Sequence, residues 1–246
     1  MKKQFYLTPA EGKRLIAKAL ASDERVMAAA KEHTLVIISG TTNGYIAEEV
    51  MNKLGIEPLN RMSFFRGIFK GPKGKDLTGI PQDIVIRSGE LLYGRTIDDI
   101  EPELKAGDMI LKGANAVYLK DRQAGVVIGN SAYGTLVPVS RAYFGRRVEV
   151  IIPVGLEKRV ESPITTLMSF VNASDCSGTR LALAPGELYT ELDALESLGV
   201  KACLLAAGGV AGFEGSVMLG LEGDEMTMAA AEALIKAVKG EPVFGE

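Results

Sequence analysis

Three times along this chain a short run of Val, Ile and Leu stops abruptly in a cluster of Gly, Ser, Thr or Asn. The first case, residues 34–44, reads TLVIISGTTNG and restarts as the amphipathic stretch YIAEEVMNKLG. The second reads GDMILKGANAV and the third QAGVVIGNSAYGT. An apolar run, a tight polar turn and a resumed helical pattern together predict an α/β fold with a mainly parallel sheet and helices on both faces. In such a sheet the turns 39–44, 112–115 and 129–135 leave from one edge, the side on which open α/β sheets bind ligands. Unpaired backbone N–H groups and the positive end of a helix dipole gather at the first turn, which suits a phosphate. The same stretch also serves as a polar strand-to-helix connection that holds nothing.

Local signals place the other elements. Thr8-Pro9-Ala10-Glu11 has the form of a capping box with proline in the first helical turn, and Ser22-Asp23-Glu24 opens a second helix running to about His33. DIVIRSGEL and RRVEVIIPVGLEK read as strands, the latter ending near Pro153. Beyond them TRLALAPG reads as a strand and residues 187–198 as a helix. VKACLLAAGGV and GSVMLGLEG read as adjacent strands, and residues 225–239 as a helix. This order predicts a small α+β unit over residues 166–246, after a ligand-binding domain over 1–165, with the boundary between 160 and 178. The glycine-rich AAGGVAGFEGS either closes over the ligand edge or forms a loose hairpin.

Composition narrows the function classes. Of 246 residues 24% are charged and 47% hydrophobic, which excludes a disordered chain, and the net charge of −3 gives no electrostatic footprint for nucleic acid. His33 is the only histidine and Cys176 and Cys203 the only cysteines, so His-based triads, His or Cys metal centres and a disulfide scaffold fall away. Neither G-x-G-x-x-G nor G-x-x-x-x-G-K-[ST] occurs, so no cofactor is expected. MKKQFYLTPAEG lacks the apolar stretch of a signal peptide, and no segment reaches the roughly 18 apolar residues of a membrane span. A soluble, cytoplasmic protein that engages no membrane is the expectation, with homo-oligomerisation left open. RMSFFRGIFKGPKGK, residues 61–75, combines five positive charges with three phenylalanines. It reads as a basic flap over an anionic ligand, as a solvated loop whose phenylalanines pack on the body, or as a basic and aromatic surface for nucleic acid, which the overall acidity of the chain disfavours.

Ser39-Gly40-Thr41-Thr42 after a first strand resembles the S-G-S-T phosphate loop of type A ribose-5-phosphate isomerases. Gly113-Ala114-Asn115 lies where that family, and the methylthioribose-1-phosphate isomerases, carry G-A-D. Gly134-Thr135 is similar to the end of the latter group's N-K-x-G-T. In this order, over about residues 33–156, the pieces resemble the superfamily of sugar-phosphate isomerases, glucosamine-6-phosphate deaminases and CoA transferases. The resemblance implies a Rossmann-like sheet holding a phosphate-bearing small molecule. The first turn would supply Ser39, Gly40, Thr41, Thr42 and Asn43, and the second Lys112, Gly113 and Asn115. The third would supply Gly129, Asn130, Ser131, Gly134 and Thr135. The departures bear on catalysis. Asn115 stands where the isomerases place a proton-transferring aspartate, and an amide does not titrate near neutral pH. Ser131-Ala132 replaces the N-K pair. An acid or base would then come from Asp121, Glu90 or Asp108, leaving three readings: a divergent isomerase-like enzyme, a ligand-sensing module without catalysis, or a CoA-ester enzyme using Glu90.

Overall fold

The computed structural model describes residues 1–57, 60–66 and 82–244. The chain opens with a strand, β1 (Lys2–Leu7), where no strand was expected. The two predicted helices follow as α1 (Pro9–Leu20) and α2 (Glu24–Glu32). Thr8 and Glu11 form the reciprocal capping box and Asp23 caps α2, as the sequence signals require. Next come β2 (Thr34–Ile37), α3 (Thr41–Leu54), the hairpin β3 (Ile84–Arg87) and β4 (Glu90–Leu91), and α4 (Ile97–Ile100). Then follow β5 (Met109–Leu111), β6 (Ala116–Tyr118), β7 (Gln123–Ile128), α5 (Leu136–Ser140), β8 (Glu149–Pro153) and α6 (Ile164–Val171). The chain continues through β9 (Arg180–Leu183), β10 (Glu187–Tyr189), α7 (Glu191–Glu196), β11 (Lys201–Gly208), β12 (Ser216–Glu222) and α8 (Glu225–Val238).

The central sheet has six strands in the order β10-β8-β5-β2-β3-β4. Its first four strands are parallel, and β3 and β4 are added antiparallel. Alternating side chains divide the core between its faces. Leu35, Ile37, Met109, Leu111 and Ile151 join a cluster with α1, α2, α3, α7, α8 and β12. Val36, Ile110, Val150 and Ile152 face the other way, against α4, α5 and the strands β6, β7 and β9.

Three expectations are corrected here. The second face is covered chiefly by a separate antiparallel sheet, β6-β7-β9, with α4 and α5 beside it, rather than by a full helical layer. The turn 129–135 follows β7 of that small sheet and so does not leave from a parallel strand. Apolar runs of this length look alike in either setting, and β6 pairs with β7 first as a local hairpin. The strands of each sheet come from both sides of residue 165. β9 pairs with β7 and β10 with β8, while β12 sits between β1 and β11 in a third sheet. Residues 187–198 are likewise not all helix: the first three form β10, and α7 starts after a Thr190–Asp193 capping box.

The described part of the basic segment is packed. Phe64 and Phe65 are buried, and the Arg61 guanidinium lies 4.3 Å from the centre of the Tyr45 ring, which Arg14 also approaches at 4.8 Å. Arg14 and Arg61 both pair with Glu48 and Glu241, tying α1, α3, this segment and the chain just after α8 together. Residues 67–75 of the expected flap lie outside the described residues. Among the described residues no helix is long and apolar enough to cross a membrane.

Candidate functional site at the carboxyl edge of the sheet

Because β2, β5, β8 and β10 run parallel, everything just past Ile37, Leu111, Pro153 and Tyr189 collects on one edge. β3 is antiparallel, so its beginning, preceded by Asp83, reaches that edge too. Two polar centres form there.

The first lies around β2, β3 and β5. The chain leaves β2 through Ile38, Ser39 and Gly40 and enters α3 at Thr41, so Thr41, Thr42 and Asn43 are the first turn of a 14-residue helix with no side-chain cap. Their amides have no acceptor within the helix. Ser39, Thr42 and Asn43 are buried, yet Ser39 Oγ, Thr42 Oγ1 and Asn43 Oδ1 have no hydrogen-bond partner among the described residues. Asn43 has a structural task as well. Its Nδ2 donates to the carbonyls of Ile38 at 2.7 Å and Leu111 at 3.0 Å, which clamps the ends of β2 and β5 to the helix start. Asp83 is also buried and accepts from Ser39 N, Ile97 N and Arg66. Burial pushes its carboxyl above the ordinary range, against the pull of Arg66, these two N–H groups and Lys112. Lys112, 6% exposed, has its amine brought down to about 8 by burial, with Asp83 opposing the shift.

The second centre lies around β8 and β10. After β8 the chain makes a 3-10 turn, Leu156–Lys158, and after β10 the Thr190 cap places Glu191 in the first turn of α7. Glu191 Oε2 accepts from Leu156 N at 2.9 Å. Gly12 of α1 lies so close that a Cβ there would stand 2.5 Å from Glu191 Oε1, so any larger residue at 12 would push this carboxyl aside where α1 and α7 meet. Glu191 is 1% exposed, and burial, assisted by the neighbouring Glu157, pushes its carboxyl up to about 8. Lys158 Nζ donates to the carbonyl of Ala114, in the turn after β5, and so joins the two centres. Burial also lowers the Lys158 amine, with Glu157 opposing.

The sequence-derived residues are thus brought together in part. Ser39, Gly40, Thr41, Thr42, Asn43, Lys112 and Gly113 share the edge. Asn115 is exposed beside it, with Oδ1 accepting from Val127 N, so it braces the small sheet. Gly129, Asn130 and Ser131 are exposed and Gly134 and Thr135 half-buried; Asn130 and Ser131 line a separate depression with Tyr133, Asn172 and Arg180. The three carboxylates named as acid or base lie elsewhere. Glu90 is exposed on β4, opposite Arg87 and hence at the other edge. Asp108 is buried at that same far edge, its oxygens accepting from Thr34 N and Lys105 N. Asp121 is exposed in the β6–β7 hairpin turn. The carboxyls that do reach the edge, Asp83, Glu157 and Glu191, were not singled out from sequence. The strand-then-turn pattern in IIPVGLEK, the same that marked the other turns, was the signal for Glu157 and Lys158.

Since Asn115 Oδ1 serves a backbone N–H that a carboxylate oxygen also satisfies, Asn115→Asp is expected to keep the fold. It should weaken phosphate-ester binding by no more than about 1 kcal/mol, the worth of one charge at a solvated site. A calorimetric titration checks this, and a loss of a hundredfold would place Asn115 against the ligand.

Among known proteins, no protein-family model matches the chain, and no curated protein does.

Proposed function

We propose that the chain binds a phosphate-bearing small molecule, a sugar phosphate or related ester, at the carboxyl edge of a Rossmann-like parallel core, and acts on it as a divergent isomerase-like enzyme. The observation that carries this reading is the pair of buried hydroxyls of Ser39 and Thr42, without a partner among the described residues, at the uncapped start of α3, on the edge that also carries the buried Lys112. A buried hydroxyl without a partner is costly, and a phosphate oxygen relieves that cost while accepting from the helix amides. Lys112 supplies the balancing charge, and Asp83 fixes the turn by holding Ser39 N at 2.9 Å. The buried carboxyls support an enzyme over a passive binder. Burial raises the carboxyls of both Asp83 and Glu191 beside the turns, and Glu191, at about 8, reaches the range in which a carboxyl can give and take a proton.

Titration calorimetry with inorganic phosphate, phosphate esters and their unphosphorylated counterparts tests the reading. Only phosphorylated molecules should bind, and Thr41→Glu, which sets a carboxylate among the first-turn amides, should weaken them by about tenfold or more. Affinity unchanged by Thr41→Glu would count against a phosphate at this turn. Turnover of ribose 5-phosphate is not expected, because Asn115 cannot take the aspartate's part in proton transfer.

A further inference from the structure

The small sheet ends in a recess that shares no residue with either polar centre. Ile128 closes β7 and stands opposite Arg180, the first residue of β9. With Leu181 and the turn after β7 they line a depression of about 160 Å³, and a cavity of that size holds a single benzene ring. Arg180 is its only charged lining residue, and no carboxylate lines it among the described residues. The guanidinium makes no ion pair or hydrogen bond with those residues either. Asn172 is spent, both ends of its amide being bonded to the Leu181 backbone, and Asn130 Oδ1 accepts from Ala132 N at 2.7 Å. The groups left over, the Arg180 guanidinium, the Ser131 hydroxyl and Asn130 Nδ2, can all donate.

Tyr133 adds a second, independent sign. Its φ is 70°, in the left-handed region that a bulky residue enters only under strain, and Gly134 follows at 56°. The turn that imposes this is fixed by Tyr133 N donating to the Asn130 carbonyl at 3.1 Å, together with the Asn130–Ala132 bond. Glycine or asparagine takes up such a backbone at less cost. What tyrosine brings in exchange is its ring, 41% exposed and lining the depression.

We infer that this depression binds a small aromatic monocarboxylate, with its carboxylate on Arg180 and its ring against Tyr133, Ile128 and Leu181. Charge matching selects the head group. One guanidinium with neutral donors beside it balances one carboxylate, which it can meet with two parallel hydrogen bonds, whereas a phosphate monoester carries nearly two charges and would leave one unmet. Size and surface select the body, since Ile128 and Leu181 are buried apolar side chains and the space admits one ring. Nothing in this site depends on the phosphate reading of the first centre.

NMR titration of the full chain with benzoate, benzyl alcohol and acetate reads the two halves of the ligand separately. The wild type should bind benzoate about fivefold or more tighter than either of the others, because one lacks the charge and the other the ring. Arg180→Gln, which keeps a donor and removes the charge, should weaken benzoate by about fivefold or more and leave benzyl alcohol unchanged. Tyr133→Gly should weaken benzoate by a similar factor while its Tm stays level or rises, since glycine relieves the strained φ. A tyrosine that served only the turn would give the reverse, a lower Tm with benzoate affinity kept, and that result overturns the inference. Absence of benzoate binding by the wild type, or equal binding by Arg180→Gln, overturns it as well.

Discussion

Replacing Glu191 with glutamine should stabilise the protein at pH 8 by several kcal/mol and flatten a slope that the wild type shows below it. The buried Glu191 carboxyl holds its proton up to about pH 8, whereas an ordinary glutamate releases it near 4.5. Between those values the folded state carries a proton that the unfolded chain has lost, so stability falls as pH rises, by at most about 1.4 kcal/mol per unit. Over the window this amounts to a loss on the order of 3–5 kcal/mol. Glutamine can keep the acceptor for Leu156 N and fits beside Gly12, yet carries no charge to bury. Urea denaturation at intervals from pH 4.5 to 8.5 should show the wild-type curve descending relative to the variant's. The comparison must be a difference, because Glu11, whose carboxyl is held low by Gly240 N–H, Thr8 N–H and Lys239, destabilises both proteins on acidification. Parallel curves for the two proteins would show that Glu191 is ionised in the fold.

Lys112→Met is the second substitution with a large expected effect, and it acts on ligand rather than fold. The wild-type amine is nearly all protonated at pH 7 and loses its proton around pH 8. Phosphate pairs with the protonated form, so affinity should hold to about pH 7 and then fall, approaching tenfold per unit above 8. The methionine variant should bind phosphate esters about ten- to a hundredfold more weakly at pH 7, the worth of one charge-assisted hydrogen bond, with a level profile through this range. Its stability should not suffer. The buried charge disappears, and Asp83 keeps Arg66 and the N–H groups of Ser39 and Ile97. Wild-type affinity that stays level from pH 7 to 9.5, or equal binding by the variant, would remove Lys112 from the ligand.

What the sequence made legible follows from how local each signal is. The Thr8–Glu11 box and the Asp23 cap are contained in a few residues, and both helices start where those residues stand. The turns at 39–44 and 112–115 follow parallel neighbours and reach one edge, since each run was long enough to mark a strand and each turn rich enough to end it. By contrast β10 has three residues inside ELYTELD, too few for a period to show, and its membership of the central sheet depends on β8, more than thirty residues earlier. Glu191 was hidden by that misreading, and its meeting with Glu157 and Gly12 exists only in three dimensions. The turn after β7 failed for a related reason. Its residues are of the right kind, but strand direction is decided by pairing partners, which a local pattern does not encode.

The pairing of β1 with β12 has a consequence for the order in which the molecule assembles. Residues 2–7 find their partners at 217–222, so this strand waits until the chain has been made as far as β12. Closing a loop of that length comes late, because its entropy is lost before the contacts that compensate form. During synthesis β1 therefore has an unpaired backbone, and α1 behind it only part of its apolar cover, until β12 and α8 leave the ribosome. Misassociation between nascent chains is most dangerous in that interval, and the lysines Lys2 and Lys3 on the waiting strand lessen it by charge repulsion.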